Sequence, residues 1–133
     1  MERDGWPSEW YRAILWACAL SVINDLREHA YGYNIGLHLS QRSLGNVTGG
    51  TLYPILKRLE ADGLVTTQWR EGELGPGRKY YRLTDSGRAR LLEVAADWSE
   101  FTEVSAGVLK GQQGGARGLS EGLDAEPSVA PHR

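Results

Sequence analysis

One side of residues 48–58 collects side chains that can bond to an anion. Thr48, Thr51 and Tyr53 carry hydroxyl groups, and Lys57 and Arg58 carry positive charges. Such groups bind phosphate oxygens or the acceptor atoms of nucleic-acid bases. The first N–H groups of a helix also favour an anion. If these residues begin a helix, its exposed side is therefore suited to contact DNA in the major groove.

The apolar residues of the same segment predict that helix. Leu52, Ile55, Leu56 and Leu59 recur at i, i+3, i+4 and i+7, the spacing that places one apolar stripe on a helix. The stripe would face a core and leave the hydroxyl and basic side chains exposed. The helix should end at Asp62-Gly63, because glycine tolerates the left-handed conformation that closes a helix.

The start of this helix has two solutions. Thr48 and Thr51 are both good N-cap residues, but Pro54 lacks the N–H that an interior position would donate. A cap at Thr51 places Pro54 in the first turn, where its missing N–H has no intrahelical partner anyway. A cap at Thr48 requires the helix to accommodate Pro54 by a kink or a tight first turn. Local chemistry therefore favours Thr51.

Two β-strands are predicted after the helix. Residues 64–70 and 78–83 are rich in β-branched and aromatic side chains, and glycines and a proline lie between them. The two runs should form a hairpin, and a helix followed by such a hairpin is typical of a winged helix. Arg78 and Lys79 would give this wing two cations, while Tyr80 and Tyr81 are expected to serve ordinary strand packing.

Helices are predicted on both sides of this region. One should begin with Ser8 as N-cap and run to about Glu28, and a short one from Asn34 to about Ser40 would complete a helix-turn-helix. In the first, Ile14, Leu15, Cys18, Val22, Ile23 and Leu26 should pack on the helix at 48–58; in the second, Ile35, Leu37 and Leu39 are available for the core. The fold is thus predicted to be mainly α with a small β-hairpin.

A last helix, capped by residues 84–87 and running to about Leu109, is predicted to hold two copies of the chain together. Its apolar residues repeat at three- and four-residue steps, a seam too narrow to be the only core contact of a globular helix. These seam residues are Leu91, Val94, Trp98, Phe101, Ser105 and Val108. The aromatic side chains near the N-terminus are predicted to pack against the partner's last helix; they are Trp6, Trp10, Tyr11 and Trp16.

Charge is distributed unevenly along the chain. The net charge is −2 and the isoelectric point is near 5.9, which by themselves argue against a nucleic-acid partner. Residues 40–90, however, hold nine Lys and Arg against five Asp and Glu, a balance of +4. Half-exposed elements commonly carry charges, so this balance supports a DNA partner only together with the side chains described above.

Several classes of function are not expected. Cys18 is the sole cysteine, which leaves no intrachain disulfide and no thiolate metal site, and His29 and His38 have no third ligand in prospect. No catalytic set, cofactor-binding loop, secretion signal or membrane-spanning stretch is recognised. We expect a cytoplasmic protein that is not an enzyme and binds neither metal, cofactor nor membrane. Cys18 is expected to act as a small buried hydrophobe.

Three sequence blocks resemble the signatures of the PadR family of bacterial transcriptional regulators. They are GTLYP at 50–54, LEADGLV at 59–65 and GRKYYRLT at 77–84, in that family's order and close to its spacing. Tyr31-Gly32-Tyr33 is similar to its upstream aromatic-Gly-Tyr element. The resemblance covers about residues 12–109. It implies a winged helix-turn-helix and a helix cap at Thr48.

The residues and the resemblance together predict a homodimer that binds a roughly palindromic stretch of double-stranded DNA and represses transcription. The predicted DNA contacts are Tyr33, Thr48, Thr51, Tyr53, Lys57, Arg58, Arg78 and Lys79; the predicted dimer contacts are Trp10, Leu91, Val94, Trp98, Phe101 and Val108. Trp98 looks similar in position to a tryptophan that contacts planar aromatic effectors in some members, although it could simply fill the dimer interface. A winged helix that docks proteins without DNA is the alternative.

The predicted organisation has four parts. Residues 1–11 form an N-terminal arm and the start of the first helix, residues 12–84 the DNA-binding domain, and residues 85–109 the dimerisation helix. Residues 110–133 contain five glycines and two prolines and show no apolar periodicity, so they are expected to be a disordered tail.

Overall fold

The computed structural model describes residues 6–72 and 75–114. Within them the elements are α1 (Ser8–Leu26), α2 (Gly32–Leu39), α3 (Gly49–Ala61), β1 (Val65–Arg70), β2 (Arg78–Leu83) and α4 (Asp85–Gly114). Short helical turns cover Arg27–His29 and Ser40–Leu44. The mainly helical fold with one hairpin is therefore confirmed. The chain divides into two compact units, Met1–Ala95 and Ala96–Arg133.

The first helix begins differently from the prediction. Pro7, not Ser8, is the N-cap residue, and its carbonyl accepts the N–H of Trp10 at 2.9 Å. Ser8 is already helical and no side chain caps the helix. The reason is that Pro7 has the extended backbone, with φ −52° and ψ 136°, that a cap position requires. The helix ends at Leu26, because Arg27 adopts a positive φ of 55°.

The core of the first unit forms between α1, α2, α3 and the hairpin. Its largest fully buried side chains are Leu15, Leu20, Ile23, Ile35, Leu39, Leu52, Leu56, Leu59 and Val65. Among the residues predicted for α1, Ile14, Cys18 and Leu26 are only partly buried, whereas Leu20 is buried and was not predicted. In α2, Leu37 is exposed, because it lies two residues from both buried positions and so points away from them.

Two aromatic residues of α1 pack within their own chain. Tyr11 and Trp16 lie partly buried against the core, and the guanidinium of Arg90 lies 4.9 Å from the centre of a Trp16 ring. These two side chains therefore find contacts within their own chain, and their predicted packing against a partner's last helix stays a prediction. Trp10 is 58% exposed and its ring lies 6.3 Å from that of Trp6, so its predicted dimer contact stays a prediction.

The start of α3 follows the resemblance and not the local chemistry. Thr48 is the N-cap residue, and its carbonyl accepts the N–H groups of Thr51 at 3.1 Å and Leu52 at 2.9 Å. Pro54 consequently lies inside the helix, where it has no N–H to donate to the carbonyl of Gly50. That carbonyl is on an exposed residue, where water can satisfy it.

The end of α3 confirms the predicted glycine cap. Gly63 has a φ of 75°, and its N–H donates to the carbonyl of Glu60 at 3.1 Å. The N–H of Leu64 donates to the carbonyl of Leu59 at 3.0 Å. These two bonds are those of a Schellman motif, which satisfies the last carbonyls of a helix and turns the chain sharply into β1.

The hairpin has the predicted strands, with β1 one residue shorter. Its antiparallel register pairs Val65 with Leu83, Thr67 with Tyr81 and Arg70 with Arg78. The loop passes through residues 73 and 74, which lie outside the described residues. The N–H of Tyr81 donates to the carbonyl of Ala30 at 2.8 Å, so β2 is also tied to the segment between α1 and α2. Burial raises the pKa of the Tyr81 hydroxyl.

Thr84 joins the end of α3 to the start of α4. Its hydroxyl donates to the carbonyl of Gly63 at 2.7 Å and accepts the N–H of Gly87 at 2.9 Å, as an N-cap residue should. A Cβ at Gly87 would overlap the carbonyl oxygen of Leu64, so only glycine allows this close approach. The cap predicted at residues 84–87 is confirmed.

In the second unit, the helix continues to Gly114, five residues beyond the predicted end at Leu109. The part of the predicted tail from Lys110 to Gly114 is therefore helical. The remainder of that tail, residues 115–133, lies outside the described residues. The rings of Trp98 and Phe101 are 5.7 Å apart, and Phe101 and Val108 are 59% and 75% exposed.

Candidate nucleic-acid interface

The exposed side of α3 begins with a pair of threonines. Thr48 caps the helix, and its hydroxyl lies 3.4 Å from that of Thr51 in the first turn. Both hydroxyls stand beside the first N–H groups of α3, where the helix dipole favours an anion. A phosphate or a base acceptor placed there would meet several donors at once.

Further along α3, Tyr53 and Lys57 extend this side. Tyr53 is about half exposed and Lys57 is exposed. In the described part of the chain, Lys57 takes part in no ion pair, so its positive charge is not compensated by a neighbouring carboxylate. The backbone spacing places these two side chains about one helical turn apart on the same side.

A groove separates this part of α3 from the hairpin and the start of α2. We call it the wing groove; it is lined by Tyr31, Tyr33, Tyr53, Trp69, Arg78 and Lys79 among others. Four of the predicted DNA contacts, from three separate elements, are therefore brought together. Tyr33 is 70% exposed at the first turn of α2, as a phosphate contact would require.

Arg58 lies on a different part of the surface. It lines another groove, together with Trp16, Pro54 and Arg90, and its Nε atom is 3.5 Å from a carboxylate oxygen of Asp62. The structure does not bring Arg58 together with the side chains of the wing groove. It is separated from Tyr53 by five positions and from Lys57 by about 100° around α3.

Lys79 forms an internal ion pair that the sequence did not reveal. Its Nζ atom lies 3.1 Å from Oε1 of Glu60, and the hydroxyl of Thr67 donates to Oε2 of the same carboxylate at 2.9 Å. The hydrogen bond from Lys79, followed by that from Thr67, lowers the pKa of Glu60. The charge of Lys79 is therefore compensated by a carboxylate of α3, and its predicted DNA contact stays a prediction.

The two arginines at the loop end of the hairpin are stacked on tyrosines. Arg70 and Arg78 are directly opposite in the register, a like-charge pair that would otherwise destabilise the strands. The guanidinium of Arg70 lies 4.2 Å from the ring centre of Tyr80, and that of Arg78 lies 4.4 Å from Tyr31. Each guanidinium is thus held on its own tyrosine ring by cation–π attraction, and Arg78 is held where it lines the wing groove.

The sequence prediction missed Trp69 and Glu60 as members of the site. Trp69 is 69% exposed on β1 and lies across the hairpin from Lys79. The predicted strands contained the signal, because pairing residues 70 and 78 across the loop also pairs Trp69 with Lys79. Nothing local could have revealed Glu60, since its two partners lie on the hairpin and are brought to it only by the fold.

The predicted dimer contacts fall into two groups. Leu91 packs against the core of its own chain, and Val94 is only 9% exposed. These two residues therefore offer little surface to a partner, because the first unit already covers them. In the second unit, Phe101 and Val108 are exposed and Trp98 is half-buried.

The described residues give little support for a reactive thiol, a metal site or a membrane span. Burial raises the pKa of the Cys18 thiol, which lowers its reactivity as a nucleophile. No group of three or more His, Cys, Asp and Glu side chains that could hold a metal ion occurs among the described residues. Over the same residues, the helices lack the combination of length and apolar character needed to cross a membrane.

Comparison with known proteins agrees with this geometry. The sequence model of the transcriptional regulator PadR-like family matches residues 20–93. An uncharacterised protein of Lysinibacillus sphaericus is 33% identical over 81 residues, which cover 59% of this chain and 74% of that protein. A transcriptional regulator of Mycobacterium tuberculosis is 47% identical over 66 residues, which cover 50% of this chain and 58% of the relative.

Solved structures show the same fold. A PadR-like transcriptional regulator from Bacillus cereus has a TM-score of 0.68 and 30% identity, with 77% of this chain and 98% of the other covered. A PadR family transcriptional regulator from Eggerthella lenta has a TM-score of 0.66 and 38% identity, with coverages of 76% and 86%. The family match spans α3, the hairpin and the wing groove. The chain belongs to the PadR-like family of transcriptional regulators, which bind DNA and share its winged-helix fold.

Proposed function

We propose that this protein is a transcriptional repressor that binds a roughly palindromic operator as a homodimer. In each protomer, α3 enters the major groove and the hairpin contacts the DNA beside it. The observation that carries the proposal is the wing groove, where Tyr33, Tyr53 and Arg78 from three separate elements face one space. Repression follows if the bound dimer occludes the promoter.

The side chains of the proposed interface have different roles, some contacting bases and others contacting the DNA backbone. Thr48 and Thr51 stand at the N-terminal end, the part of a recognition helix that reaches base edges. Lys57 is exposed and makes no ion pair among the described residues, so its positive charge can reach a phosphate or a guanine. Tyr33 and Arg78 would contact the sugar-phosphate backbone and so fix the orientation of α3.

Dimerisation is proposed through the part of α4 beyond Ala95. Phe101 and Val108 lie seven residues apart, the repeat of a helical seam, and both are exposed in the single chain. Val104 and Leu109 are also exposed and widen this apolar side. Two copies could bury these side chains against each other, and their two α3 helices would then read half-sites about one helical turn of DNA apart, roughly 34 Å.

The dependence of binding on salt tests the proposal. If the dimer neutralises on the order of six phosphates, log affinity should fall against log salt with a slope near −5, because bound phosphates release their counterions. Gel shifts with the protein's own promoter region, repeated from about 50 to 200 mM salt with competitor DNA, would give the slope. Absence of binding at the lowest salt would contradict the proposal and favour a protein-docking role.

We also propose that a planar aromatic effector binds at Trp98. In the second unit the Trp98 ring is half-buried and lies 5.7 Å from that of Phe101, and an aromatic ring can stack on a flat molecule. The expected result is a concentration-dependent quenching of tryptophan fluorescence that is lost in Trp98→Phe. An equal response of both proteins would assign Trp98 to packing only.

A further inference from the structure

Glu60 connects the recognition helix to the hairpin through two hydrogen bonds. Its carboxylate accepts one from the Thr67 hydroxyl at 2.9 Å and one from the Lys79 ammonium at 3.1 Å. Both Glu60 and Lys79 keep about two-fifths of their side-chain surface exposed. The pair is therefore accessible to solvent and to any polyanion that approaches the hairpin.

Lys79 is held next to the proposed DNA-binding surface, yet its charge is directed at the protein. It lines the wing groove with Tyr33, Tyr53 and Arg78. Its Nζ atom also lies 5.9 Å from the ring centre of Tyr81 on the same strand, and this cation–π attraction is a second interaction that holds the ammonium group against the protein. Arg78, one residue earlier, lies over the Tyr31 ring and makes no ion pair in the described residues. These two adjacent cations therefore differ, because Lys79 is paired with a carboxylate and Arg78 is not.

We propose that Glu60 is a positioning residue that withholds Lys79 from the DNA and so limits the number of phosphates that each wing neutralises. The inference rests on the proposed function. If a phosphate draws Lys79 away from Glu60, the ion pair is lost and an unpaired carboxylate is left close to a polyanion, and both changes are electrostatically unfavourable. The long, flexible lysine side chain could otherwise reach past the groove wall.

The consequence is a lower sequence-independent affinity. A phosphate contact adds the same free energy on any DNA sequence, because the phosphates carry no base information. A free Lys79 would therefore tighten binding to the operator and to unrelated duplex alike. Glu60 keeps that contribution small without changing the side chains of α3 that meet the bases.

Replacing Glu60 by glutamine tests this proposal. Glu60→Gln keeps the shape and an oxygen that can accept the Thr67 hydrogen bond, but removes the negative charge. The slope of log affinity against log salt should become steeper by about 0.9 per protomer, or about 1.8 per dimer. At low salt, the affinity for both operator and scrambled duplex should rise several-fold.

Two control variants separate charge from structure. Adding Lys79→Met to Glu60→Gln should abolish the gain in slope and affinity, because the released cation is gone. Thr67→Val removes a hydrogen bond to the carboxylate without changing any charge, and should leave the wild-type slope unchanged. Thermal unfolding of each variant would verify that the hairpin remains folded.

The results distinguish this inference from the proposed function. A steep slope for the wild type with no further steepening in Glu60→Gln would overturn the inference alone, as would weaker binding by that variant. A Lys79→Met variant that lost as much slope as Arg78→Ala would also overturn it, because Lys79 would then already contact DNA. A wild type that ignores duplex at low salt would overturn the proposed function itself.

Discussion

Alanine at both Lys57 and Arg78 should lower operator affinity by roughly two to three orders of magnitude. A side chain that contacts a base or phosphate contributes about 1–3 kcal/mol, and the dimer carries each substitution twice. At the lower end of that range the four lost contacts amount to about 4 kcal/mol, or nearly three orders of magnitude, because each 1.4 kcal/mol is a factor of ten. Both side chains are exposed and form no ion pair among the described residues.

Gel shifts at several salt concentrations would measure this loss and identify its origin. The slope of log affinity against log salt should also become flatter, by about 0.9 for each phosphate contact that is removed. A loss of affinity with an unchanged slope would mean that the two cations contact bases only. Affinity within threefold of the wild type would show that the proposed recognition surface is wrong.

Arg82→Ala provides a matched control. Arg82 is exposed on the same strand as Arg78, but it lies toward Arg27 and Thr66 and is absent from the wing groove. Its removal changes the net charge of the protein as much as the removal of Arg78. If the effect of Arg78→Ala were due only to overall charge, Arg82→Ala would reproduce it; we expect less than a threefold change.

Local sequence signals predicted the elements around the site well. The strands were found to within one residue because glycines bound them and β-branched and aromatic residues fill them. Gly63 and Thr84 fixed the end of α3 and the start of α4, since a left-handed glycine and a hydroxyl cap act on their immediate neighbours. These features depend on interactions within a few residues, which a sequence displays directly.

Long-range packing decided the remaining features. Local chemistry placed the cap of α3 at Thr51, and only the resemblance to known sequences indicated Thr48, whose carbonyl accepts the N–H groups of Thr51 and Leu52. Similarly, Lys79 looked like a free cation until the fold brought Glu60 within 3.1 Å. Trp16 seemed to need a partner subunit because its contact with Arg90 joins residues far apart in sequence.

Glutamate at both Phe101 and Val108 should convert the proposed dimer into a monomer and weaken operator binding by roughly a hundred- to ten-thousandfold. Each substitution would place a charge on the apolar side of α4 where the partner is expected, and burying an unpaired charge is strongly unfavourable. A monomer can engage only one half-site at a time, so it loses the gain in affinity that comes from linking two binding modules.

Light scattering would give the oligomeric state, and gel shifts on full and half operators would give the affinities. The double variant should bind a half operator as weakly as the full one, whereas the wild type should prefer the full operator. Ala106→Glu adds a charge at another exposed position of the same helix, off the proposed seam, and should leave the dimer intact. A double variant that stays dimeric and binds normally would show that the subunits associate through another surface, with Trp10 as the next residue to replace.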